Sequence, residues 1–282
     1  MIINRTAAKE VFLAYTDKFD TTDTKIWLKV EHSLRVAEVA EEIAQRKNRT
    51  NEETDAAWFM GLLHDFGRFE QLKRYGTFVD KDSVDHAELG ADILFVDGYI
   101  NKFEESQSAV LDPKEKQMTE IAIRAHNKLY VPEGLDERTF FFTQLLRDAD
   151  KTDIFRVLAE IPYEKRSNPK PVPAERTAAR EEVMKCVAEH RCVPRTALSN
   201  RSEFEALISQ CCMAFELVFS ESKEIVKRQG YLKRLLEKDY GKEQGAGSDL
   251  AREQMTFLRE EIRKSMETGS EFCRTKSGAS DS

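Results

Sequence analysis

Apolar residues recur every three to four positions along most of this chain, and no stretch of useful length alternates apolar with polar residues. That is the period of an α-helix with one buried face, and it leaves little from which to build a sheet. Val11 and Tyr15 stand four apart in a first short helix. A second is expected from about Thr24 to Arg46, with Leu28, His32, Val36 and Val39 on one face. Thr50 and Glu53 form a capping-box pattern that opens a third helix towards Leu63. A fourth begins near Ser83 and groups His86, Leu89, Gly90 and Ile93. Asp112 and Pro113 read as the N-cap and first residue of a helix reaching His126, and another helix spans roughly Glu137 to Glu160. The expected fold class is all-α, a helical bundle.

Past residue 160 the texture changes. Pro162, Pro169, Pro171 and Pro173 crowd together with Lys165, Arg166 and Lys170, which predicts a loop over 161–173 near the mouth of a site. Helical pattern resumes over 174–240, first to His190 and then from a second capping box at Ser202 and Glu205. Gly241, Gly245 and Gly247 mark a break, so 241–282 reads as a flexible tail with room for a helix at 250–267. The organisation expected is one helical domain over 1–240, with its core at 25–160, followed by that tail.

Composition narrows the partners. Lys and Arg number 44 against 51 Asp and Glu, a net charge of -7. Such a surface repels a polyanion, which argues against extended nucleic acid and leaves room for a small anion in a local basic pocket. The five cysteines show no CxxC spacing, and neither a secretory segment nor a membrane-length apolar run is evident. A cytoplasmic protein with no membrane partner is the expectation, and a homo-oligomer is compatible with it.

The chemistry centres on Gly61-Leu62-Leu63-His64-Asp65-Phe66-Gly67-Arg68. An apolar helix delivers an imidazole and a carboxylate side by side, and Gly67 is read as the turn that follows. Alone, such a pair is more often a satisfied polar cluster at a helix end. Its companions change the balance. His32, His86 and His126 also fall on apolar helix faces, and several inward rings are costly to bury unless each finds a partner. A shared metal supplies those partners at once. In Leu145-Leu146-Arg147-Asp148-Ala149-Asp150-Lys151, the two aspartates lie about 200° apart on a helix, so only one can enter the site. Asp150 shares its face with Phe142, Leu146 and Val157 and is the inward one. Asp153 lies on the same side, where it would either orient a ligand or pair with Arg156.

His32, then His64-Asp65, then Asp150 resembles the H…HD…D signature of the HD-domain metal-dependent phosphohydrolases. The words Val30-Glu31-His32-Ser33-Leu34-Arg35-Val36 and Ala149-Asp150-Lys151 match as well. The resemblance covers roughly residues 25–160 and implies a helical bundle with the metal site between helices. It implies that His32, His64, Asp65 and Asp150 hold a first ion. His86 and His126 stand where dinuclear members carry further histidines, which favours two ions with Asp65 bridging them. Such mixed donors suit Fe, Mn, Co, Ni or Zn.

The reaction implied is hydrolysis of a small phosphate ester or nucleotide by metal-activated water. Asp65, Arg68 and Lys151 are the candidate catalytic residues, and Arg68, Lys128 and Lys151 the candidate substrate contacts. Tyr75 and Tyr130 could stack on a base. Two other readings are a di-iron oxygenase and a non-catalytic regulatory module that binds a metal or nucleotide. The fifth histidine, His190, reads as a helix-end residue outside the site.

Overall fold

Short polar caps start the helices that carry the site. Asp23 accepts from the backbone N–H of Lys25 at the head of α2 (Thr24–Arg46), and Thr50 with Glu53 closes a capping box on α3 (Asn51–Leu63). Asp112 opens α7 (Pro113–Ala125) with proline in its first turn, and Asp136 opens α8 (Glu137–Glu160). Around these lie α1 (Arg5–Thr16), α4 (Gly67–Tyr75), α5 (His86–Ala91) and α6 (Ile100–Gln107). The computed structural model describes residues 2–107, 110–162, 178–194, 201–237 and 249–267, and no strand occurs among them. They fall in two compact units, Met1–Pro171 and Val172–Ser282.

Several boundaries differ from the periodicity. The helix expected from Ser83 begins at His86, because Asp80–Asp82 form a 3-10 turn and Asp85 takes the cap. The same run then widens into a π turn over Asp92–Val96. α4 and α6, short and strongly polar, are additions to the expected set.

In the first unit α2 lies along α3 and α8, while α5 and α7 complete the wall around the His64-Asp65 pair. Two glycines permit the closest approaches. A Cβ built on Gly61 would stand 2.6 Å from the Ala37 Cα, so α3 can press its backbone onto α2 only without a side chain there. A Cβ on Gly67 would stand 2.3 Å from the His86 carbonyl oxygen. Gly67 does not have a positive φ, so the reading of it as a turn residue is corrected: it is small so that α4 and α5 can touch.

Phe66, next to Asp65, is the anchor of this arrangement. Its ring is fully buried and stacks on Tyr15 with centroids 3.9 Å apart. Phe12, Tyr99 and Phe103 surround it at 5.2–6.4 Å. Edge and offset contacts of this kind add to the area that each ring buries.

The second unit holds α9 (Glu181–Ala188), α10 (Glu203–Cys212), α11 (Ser220–Gln229), α12 (Tyr231–Leu236) and α13 (Asp249–Glu267). Ala251, Met255, Leu258, Ile262 and Met266 form the buried stripe of α13, which packs on α9, α10 and the 3-10 turn Met213–Glu216. Cys186, Cys211 and Cys212 are buried thiols outside any disulfide. His190 takes a left-handed conformation just past α9, stacks on Phe215 and meets Glu261 at 2.6 Å. The proline-rich loop expected at 161–173 lies outside the described residues beyond Pro162. No helix among the described residues is long and apolar enough to cross a membrane.

Candidate metal centre

Four imidazoles converge in the first unit, and each is anchored by its Nδ1. His64 Nδ1 donates to the Gly61 carbonyl and His126 Nδ1 to the Ile123 carbonyl, both at 2.7 Å. A carbonyl can only accept, so in both rings Nδ1 carries a proton and Nε2 is the nitrogen turned to the centre. His32 Nδ1 donates to Asp153 Oδ2 at 2.7 Å, and His86 Nδ1 to the Asp80 carboxylate at 2.9 Å. These four rings are 0–3% exposed.

The Nε2 atoms then face one another in two pairs. His32 and His64 present theirs 3.3 Å apart, and His86 and His126 at 3.1 Å. Two unprotonated nitrogens at that distance repel, and a cation shared between them removes the repulsion. With metal–nitrogen bonds of about 2.0–2.1 Å, two ligands of one ion stand about 2.9 Å apart at an octahedral edge and about 3.4 Å at a tetrahedral one. Both observed separations fall within that interval, so the residues fit the group that their chemistry implies.

The carboxylates complete each pair. Asp150 Oδ1 lies 3.1 Å from His32 Nε2 and 3.6 Å from His64 Nε2. Asp65 divides its two oxygens: Oδ2 is 3.6 Å from both His32 and His64, whereas Oδ1 is 3.4 Å from His86 and 3.8 Å from His126. A carboxylate so placed can serve both halves. Two groups able to hold an ion follow from this geometry, His32-His64-Asp150 and His64-Asp65-His126. A third, Asp80-Asp85-His86, lies on the outer side of His86. There Asp85 is occupied as the cap of α5 and by Asn127 and Lys128, so Asp80 is better understood as the group that orients His86.

The electrostatics divide along the same line. Burial would raise the Asp65 carboxyl, but Lys29 and then His64, Arg68 and His86 hold it well below the usual range. Asp150 is likewise pulled down, against burial, by hydrogen bonds from His32 and His64. Burial and Lys29 push His32 down, yet Asp150 and Asp153 raise it to about 9, so a proton and a metal compete for its Nε2. Burial depresses His86, and burial with His86 and His64 lowers His126 to about 3. Both shifts favour the neutral imidazole, the form that ligates a metal.

The cations named from sequence are placed unequally. Arg68 Nη1 is fastened to Gln71, the Phe78 carbonyl and Asp80 at 2.7–3.0 Å, while its buried Nε is 3.5 Å from Asp65 Oδ1 and lacks a hydrogen-bond partner. Lys128 is held by Asp85 at 2.6 Å and Glu88 at 2.9 Å. Lys151 is buried on α8 beside Asp150. Asp153 does both things considered for it, receiving His32 Nδ1 and pairing with Arg156 at 2.7 Å. Tyr75 and Tyr130 are exposed. Asp148 is fully buried elsewhere on α8.

Three residues escaped the sequence reading. Lys29 Nζ reaches Asp65 Oδ2 at 2.7 Å, and its place one turn before His32 was the available signal. Asp80, which backs His86, sits in a 3-10 turn with no helical phase to betray it. Arg147 reaches from α8 to the carbonyls of Ala125, Lys128 and Leu129, fixing the end of α7 where His126 stands. A family model described as HD domain matches residues 30–154. No curated protein and no solved structure matches the chain.

Proposed function

This chain carries an HD domain over residues 30–154, and from that premise we propose that it is a metal-dependent hydrolase of a small phosphate ester or nucleotide. The observation that supports the reading best is the pair of facing Nε2 couples, 3.3 and 3.1 Å apart, with one Asp65 oxygen turned to each. That arrangement suits two divalent ions, with His32, His64, Asp65 and Asp150 holding one and Asp65, His86 and His126 the other. Ions held there would acidify water and neutralise charge on phosphoryl oxygens.

The rest of the work falls to this chain's own side chains. Asp65 spans both halves and sets their spacing. Asp153 and Asp80 fix the rotation of His32 and His86, so that the rings need not reorganise when a ligand arrives. Arg68 is held through Nη1 with its Nε 3.5 Å from Asp65 Oδ1, so its guanidinium lies beside the bridging carboxylate. A phosphoryl group bound there would accept charge-assisted hydrogen bonds from the guanidinium. Lys151 follows Asp150 in the chain and is buried on α8. Lys128 contributes less, because two carboxylates already hold it. Cations confined beside Asp65 on an acidic chain support a small phosphorylated metabolite over a nucleic-acid strand.

Phosphate release from a panel of nucleotides and phosphoesters, with Mn, Co, Ni, Zn or Fe added in turn, tests the reading. Metal-stimulated release is expected. Arg68→Ala should raise KM by about 10–100-fold, the usual worth of a charged hydrogen bond. Arg68→Lys should recover only part, since it restores the charge without the guanidinium. No release on any substrate, accompanied by oxygen uptake with iron, would replace the hydrolase with an oxygenase on the same donors.

A further inference from the structure

Asp65 has a second neighbour that the ligand geometry does not use. Lys29 lies on α2 three residues before His32, and its ammonium stands 2.7 Å from Asp65 Oδ2. That oxygen is the one turned towards the His32-His64 couple. The lysine side chain keeps 18% of its exposure while Asp65 keeps 3%, so the charge reaches the centre from its solvent-facing edge. Phe78 stands 5.6 Å from the Lys29 ammonium and 5.6 Å from the Arg68 guanidinium carbon. The two cations thus share one aromatic wall and bracket the same carboxylate, Lys29 at Oδ2 and Arg68 at Oδ1.

An ion ligated by Asp65 Oδ2 would lie no more than about 5 Å from the Lys29 ammonium. A fixed positive charge so close opposes a divalent cation, and at the same time it favours an anion bound beside that cation. If the sole purpose of Lys29 were to orient Asp65, its loss would loosen the ligand and weaken the metal. We propose instead that Lys29 is a substrate-binding residue of this centre, a charge that lowers the affinity for metal and raises the affinity for the phosphoryl group. The proposal rests on the metal reading above. It gives Lys29 the partner role to Arg68, one on each side of the bridging carboxylate.

The two roles of Lys29 predict opposite signs, and titration calorimetry on the full chain separates them. Mn²⁺ is titrated into chelator-treated wild type, Lys29→Met and Lys29→Arg, and inorganic phosphate is then titrated into the Mn²⁺-loaded proteins. Lys29→Met should bind Mn²⁺ about tenfold more tightly and phosphate about tenfold more weakly, as expected for removing one nearby charge. Lys29→Arg keeps the charge and should stay near wild type in both. Lys29→Gln, which keeps a polar tip, should follow the methionine variant. Unchanged or weaker Mn²⁺ binding in Lys29→Met would overturn the proposal and leave Lys29 an orienting residue. Unchanged phosphate binding would overturn it as well. Failure of wild type to take up Mn²⁺ or any other divalent ion would instead remove the metal reading on which the proposal stands.

Discussion

Asp65→Asn should leave the helical content of the protein intact and empty the whole centre. Among the described residues the aspartate is the side chain with an oxygen near both histidine couples, at 3.6 Å from His32 and His64 and 3.4 Å from His86. An amide is neutral and offers a single oxygen, so it can serve at most one half, and poorly. Loss of an outer-shell partner already costs about 10–100-fold in metal affinity, and removal of a bridging ligand should exceed about a hundredfold. Calorimetry with Mn²⁺ and phosphate-release rates measure the two consequences, which should fall together. Asparagine conserves volume, so a normal far-ultraviolet spectrum with lost metal would separate ligation from folding. Retention of both metal and rate would show that Asp65 is a buried ion-pair residue held by Lys29 and Arg68, and nothing more.

Phe66→Ala should be the most damaging single change to stability near the site. The ring is fully buried, stacks on Tyr15 and touches Phe12, Tyr99 and Phe103. Truncating a buried phenylalanine to alanine costs about 3–5 kcal/mol, from lost transfer energy plus the cavity left behind. Urea unfolding measures that loss directly. Phe66→Leu, which keeps most of the volume, should cost far less, about 1.5 kcal/mol. Because Phe66 follows Asp65 in the chain, the alanine variant should also bind metal more weakly while still folded. A loss below about 1 kcal/mol would mean that Tyr15 and Phe103 collapse into the space.

What the sequence made visible was whatever helical phase controls. His32 has Leu28 and Val36 four residues to either side, and those neighbours alone turn its ring inwards. Phase also separates Asp150 from Asp148, and only Asp150 meets His32, at 3.1 Å. The all-helical fold was readable for the same reason, since His32 and Asp150 sit on the long helices α2 and α8. Asp80 was not readable: nothing periodic links a 3-10 turn to a histidine six residues on. Lys29 had the right phase, but a lysine on a helix resembles any solvated cation until the position of Asp65 is known. The short helices α4 and α6 bury only one apolar pair each, Phe69 with Leu72 and Ile100 with Phe103, too few residues for a repeating stripe. The close contact between Gly67 and the His86 carbonyl is a tertiary fact with no local signature.

The central claim is that these histidines and aspartates form one dinuclear centre. Elemental analysis of the purified full-length wild type, after loading with a divalent transition metal and removal of the excess, tests it most directly. About two ions per chain are expected for the wild type and none for Asp65→Asn. A wild type that keeps no ion, or an Asp65→Asn protein that keeps as many as the wild type, would contradict it.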